Sequence, residues 1–120
     1  MPETPFNDIT ELLSQTERRI HKEPCPFLLD KAGNPQVFHF QSMDAEEELT
    51  VIHMGGIAGD FEAIRLCLVD QNGKRMMRKG QVKDLHRVDG RLVAWMTTQI
   101  QMHCLREPDF TELLEDAEKN

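Results

Sequence analysis

The residues able to do chemistry come first. The five histidines, His21, His39, His53, His86 and His103, could each carry a proton near neutral pH or bind a transition metal. They are scattered, with no H-E-x-x-H and no Cys/His cluster at ligand spacing, so no metal site is expected. His103 and Cys104 are adjacent, and on a helix their side chains diverge by about 100°. Asp70-x-Asn72-Gly73 opens like a calcium loop but continues with Lys74 and Arg75, where a ligand and a glycine are required, so it reads as a turn. Gly55-Gly56-x-x-Gly59 lacks a following G-K-[ST] and reads as a helix breaker rather than a phosphate cradle. Ser14 and Ser42 are the only serines, and neither sits in G-x-S-x-G. Cys25, between two prolines, reads as a small hydrophobe rather than a nucleophile. The runs Glu46-Glu47-Glu48 and Asp109–Glu118 read as solvated faces. These residues predict no enzyme, no cofactor and no metal.

The elements that would position them read mainly as helices. Asn7 caps an amphipathic helix over 7–22 carrying Ile9, Leu12, Leu13 and Ile20, ended by Pro24 and Pro26. Phe27-Leu28-Leu29 and Val37, Phe38 and Phe40 flank Lys31–Pro35 as a small hairpin would. Asp44 with Glu47 forms an acidic capping box for a helix over 44–54 that stops at Gly55-Gly56. Residues 60–71 form an element that is apolar nearly all round and hence central, although 64–69 also reads as a buried strand. A short helix spans 79–86, and Asp89 caps a long one over 88–106 with Leu92, Trp95, Met96, Ile100 and Cys104. The expectation is an all-α, mainly helical single domain over 1–120, with at most one small β-hairpin near residues 27–41. Residues 1–26 form a helical arm and 107–120 an acidic segment. No internal repeat is evident.

Length and composition bound the answer. The chain has 120 residues, 39% of them hydrophobic, which suits one modest core. Its three cysteines, odd in number and widely spaced, suit buried thiols in a reducing compartment. No stretch approaches the roughly 18 apolar residues of a membrane span, and no leader is recognisable. The net charge of −7 argues against a protein that mainly grips nucleic acid phosphates, and tyrosine is absent. Methionine is in excess at seven, a residue suited to irregular cores and to surfaces that repack around apolar partners.

One block departs from this acidic average. Residues 74–91 hold seven of the 14 Lys and Arg against two acids, a local balance of +5. Such polarity favours head-to-tail self-association, with Arg75, Arg78, Lys79 and Lys83 of one copy meeting Glu46, Glu47 and Glu48 of the next. The alternative is a small helical nucleic-acid-binding regulator using this block as part of a helix-turn-helix over 79–106. Its second helix, however, would carry Trp95, Met96 and Ile100 instead of base-reading polar groups.

The order Val37-Phe38-His39-Phe40, an acidic helix, Ala63-Ile64-Arg65-Leu66-Cys67-Leu68-Val69-Asp70-Gln71-Asn72-Gly73-Lys74, a short Val82–Leu85 helix and a long apolar helix is similar to a known pattern. Over about residues 27–106 it resembles the tail assembly chaperones of long, non-contractile-tailed phages, which carry an "L-C-x-V-D-x-x-G-x" stretch followed by an apolar residue. Here Met76 or Met77 stands where an aromatic is usual. The resemblance implies an α-helical, non-enzymatic oligomer of the host cytoplasm, absent from the mature virion. Such a protein coats and solubilises the tape measure protein and recruits tail tube subunits. It also implies a length like that of the short form in families that make a second, frameshifted form. The client surface would lie at Met76 and Met77, flanked by Arg78 and Lys79, or at Phe110, Leu113 and Leu114.

Overall fold

The computed structural model describes residues 8–10 and 18–104. Within them the chain runs as strand β1 (Ile20–Leu29), strand β2 (Pro35–Gln41), helix α1 (Ala45–Met54), helix α2 (Gly56–Cys67), strand β3 (Leu68–Val69), a 3-10 helix (Lys79–Arg87) and helix α3 (Gly90–His103). The three strands form an antiparallel sheet in the order β1-β2-β3. The molecule is therefore mixed α/β, and the expectation of an all-α domain is corrected.

The error lies chiefly in β1. Residues 20–22, expected to end a helix, pair instead with β2: Ile20 with Gln41, His21 with Phe40 and Lys22 with His39. Pro24 and Pro26 lie inside the strand, since β1 is the outer strand of the sheet and its free edge needs no N–H donors. The same prolines blunt that edge against pairing with another chain. Of the rest of the expected 7–22 helix, Ile9 and Thr10 are helical, Asp8, Arg18 and Arg19 are not, and residues 7 and 11–17 lie outside the described residues. The acidic 107–120 segment also lies outside them.

Two turns of one design close the sheet. Asp30 Oδ1 accepts from the backbone N–H groups of Ala32 (2.9 Å) and Asn34 (3.0 Å), and Asp70 Oδ1 accepts likewise from Asn72 (2.8 Å) and Lys74 (3.0 Å). In each turn a glycine three residues on, Gly33 or Gly73, takes φ 86°, a backbone conformation open to glycine at little cost. The second turn returns the chain alongside β3, where Arg75 bridges Val69 and the Met76 N–H donates to the Leu68 carbonyl (3.2 Å).

Helices α2 and α3 pack on the sheet, and α1 packs on α2. Asp44 and Glu47 form the expected capping box on α1, and Gly55 (φ 62°) turns the corner into α2. The two helices then approach closely: a Cβ on Gly59 would lie 2.8 Å from the Val51 carbonyl oxygen. Helix α2 begins at Gly56 rather than Asp60 and is buried through Phe61, Glu62, Ala63, Ile64, Leu66 and Cys67. Residues 64–69 divide between the two expected structures, helix to Cys67 and strand at Leu68–Val69. Residues 79–87 coil as a 3-10 helix, burying only Leu85, and Asp89 caps α3 by accepting from the Arg91 N–H. The core joins Phe40 of β2, Ile64 and Cys67 of α2, Leu85, and Met96, Ile100 and Cys104 at the C-terminal end of the described chain. Trp95 sets its ring edge against Phe27 and Phe38, and the Arg91 guanidinium lies 5.5 Å above Phe27. At the far end of the same strand and helix, the His21 ring stacks on His103.

Candidate functional site

Arg75 and Met76, held beside β3 by backbone pairing, are both exposed. Met76 is 62% exposed. It stands where two open grooves meet, one lined by Leu28, Val37, Phe38 and Val69 together with polar groups that include Asp70 and Asn72, the other by Phe38, Leu68, Leu85, Leu92 and Met96 with Gln81 and Asp84 at its side. Met77 lines the second groove but is half-buried and packs on the core. The sequence treated the two methionines as one unit, and the structure separates them. Farther along the chain, Arg78, Lys79 and Lys83 are exposed. A further apolar patch surrounds the α1–α2 corner, with Leu49, Ile52 and Ile57 all more than half exposed. Phe110, Leu113 and Leu114 lie outside the described residues.

The basic block meets acidic groups within its own chain. Glu47, already bonded to the Asp44 N–H in the capping box, accepts from Arg18 Nη1 (3.0 Å) and from Arg75 Nη2. Arg75 also reaches the Leu66 carbonyl through Nε (3.4 Å). Glu46, Glu47, Glu62, Arg65, Arg75 and Lys79 thus line one shallow charged groove, in which the nearly buried Glu62 pairs with Arg65. Arg75 and Glu47, both expected at a contact between copies, are engaged in the monomer; Arg78, Lys79, Lys83 and Glu46 remain exposed. Helix α3 turns Met96 and Ile100 into the core, so this face is unavailable to a groove of DNA.

All three cysteines are free and buried. The Cys67 thiol, hydrogen-bonded to Cys104 and desolvated, is pushed well above the ordinary thiol range, which keeps it protonated.

One cluster went unseen in the sequence. His21 Nε2 lies 2.9 Å from Glu23 Oε2, and His103 approaches the same place with its ring centroid 3.5 Å from that of His21. The helical reading of residues 20–23 hid it: on a helix, positions two apart face nearly opposite ways, whereas on a strand they share a face. The alternation His21-x-Glu23-x-Cys25 was the available signal, and all three side chains turn inward from β1.

Comparison of the chain with protein-family models, with curated proteins and with solved structures finds no match.

Proposed function

We propose that this chain is a non-enzymatic tail assembly chaperone that binds an apolar helical client, the tape measure protein, along the grooves around Met76. The observation that carries this reading is the setting of Met76, an exposed, flexible thioether at the joint of two largely apolar grooves. An unbranched polarizable side chain adapts to varied apolar ridges of a helix, and Arg78 and Lys79, exposed just after it in the sequence, suit acidic positions on the same client. The resemblance over residues 27–106 supplies the kind of client. On this reading the protein acts in the host cytoplasm, self-associates along the client, recruits tail tube subunits and leaves before the virion is complete. The corner patch of Leu49, Ile52 and Ile57 offers those subunits a second apolar surface.

The two methionines provide the test. Met76→Ser should abolish solubilisation of a coexpressed tape measure polypeptide while leaving the thermal midpoint almost unchanged. Met77→Ser should lower stability by about 1–3 kcal/mol, because it removes apolar contacts from the core edge. A Met76→Ser protein that still keeps the client in solution overturns the proposed surface. Salt-sensitive binding of duplex DNA in place of the client would favour the nucleic-acid regulator instead.

A further inference from the structure

We propose that His21, Glu23 and His103 form a three-ligand site for a divalent transition ion of the zinc type, clasping the start of β1 to the last turn of α3. Among the described residues, these are the one group of three His, Cys, Asp or Glu side chains whose ligand atoms all lie within 4.8 Å of one another.

The spacing is close to what an ion needs. Ligand bonds of about 2.0–2.2 Å in a tetrahedron put neighbouring ligand atoms about 3.3–3.6 Å apart. His21 Nε2 and Glu23 Oε2 stand at 2.9 Å, within hydrogen-bond distance, and an ion held between them would replace that contact. The His103 ring lies 3.5 Å from that of His21 at an interplanar angle of 18°, so its nitrogens are already alongside. Parallel rings cannot both aim their lone pairs at one ion, so His103 must fan outward by side-chain rotation. As an exposed residue at the end of α3 it has room to do so. Two imidazoles with one carboxylate select a borderline ion such as zinc over calcium or magnesium, which prefer all-oxygen shells. The exposed side leaves a fourth position for water.

The two strand ligands sit on a rigid part of the site. Their register against Phe40 and Phe38 of β2 fixes both on the inward face. Binding would therefore act mainly on α3, holding its last turn against β1 and, through the adjacent Cys104, against the core. This clasp is independent of the client surface at Met76.

The experiment uses the full chain, stripped with chelator and titrated with Zn²⁺ by calorimetry and with Co²⁺ by absorption, alongside His103→Gln, Glu23→Gln and His53→Gln. His53 lies on exposed α1 and serves as the control. The expected result is one equivalent bound, at least a tenfold loss of affinity in His103→Gln and in Glu23→Gln, and no loss in His53→Gln. Zn²⁺ at about a hundredfold excess over its dissociation constant should raise the thermal midpoint by roughly 10 °C in the parent but not in His103→Gln. His103→Gln removes an exposed ring and should fold, and its own metal-free melting curve checks that. No saturable binding by the parent overturns the site, as does equal binding by the parent and His103→Gln. An intense thiolate-to-cobalt band would place the ion on cysteines and overturn it as well.

Discussion

Asp70 shows how one side chain sets a local structure and its response to pH. The backbone N–H groups of Lys74 and Asn72 donate to its carboxylate and hold it below the ordinary carboxylate range. Because the folded value is depressed, the contribution is complete above the unfolded value near pH 4 and is lost as the pH falls through the lower folded one. Asp70→Asn keeps an acceptor oxygen but loses the charge. Urea midpoints measured from about pH 6 down to pH 2 should fall less steeply in this variant than in the parent. Unchanged steepness would show that the turn does not depend on the charge. Asp30 makes the same two bonds, so Asp30→Asn is the matched comparison.

At the scale of elements, the crossing of α1 and α2 depends on a missing side chain. Gly59 is buried beneath Val51, and the atom its Cβ would strike at 2.8 Å is a backbone carbonyl oxygen, which cannot swing aside as a side chain could. Gly59→Ala gains helix propensity but must separate the helices, so a net loss of about 1–3 kcal/mol is expected by chemical denaturation. Stabilisation instead would show that α1 sits loosely on α2. That outcome is conceivable only because α1 buries no residue fully and meets the core through Val51. The neighbouring strand β1 tolerates two prolines for a different reason, its place at the edge of the sheet.

For the molecule as a whole, a net charge of −7 with a basic block still exposed at Arg78, Lys79 and Lys83 favours oriented contact between copies. Self-association should rise with concentration and weaken with salt. The double variant Arg78→Glu/Lys79→Glu should reduce it with little change in thermal midpoint. Arg75→Glu should act differently, breaking the pairing with Glu47 within the chain at a cost on the order of 0.2–1 kcal/mol, since both partners are partly exposed. Light scattering that stays monomeric at high concentration and low salt rejects the contact.

Much of the local framework could be read from the residues in order. The Asp44–Glu47 capping box, the Asp89 cap, the break at Gly55 and the turns at Gly33 and Gly73 each join groups within five residues of one another, so short-range geometry suffices to specify them. The character of residues 20–29 could not be read this way. A segment with Ile20 and Pro24 looks like the end of a helix until Phe38 and Phe40 pair beside it, and those partners arrive only after a turn. The same long-range pairing decided the ligand cluster, because His21 and Glu23 share a face only on a strand, and His103 joins them from the far end of the described chain. The engagement of Glu47 by Arg75 and the separation of Met76 from Met77 likewise depend on where the chain returns after Gly73. Caps and turns are settled by neighbours in sequence, whereas strand identity, burial and convergence are settled by partners that only folding brings near.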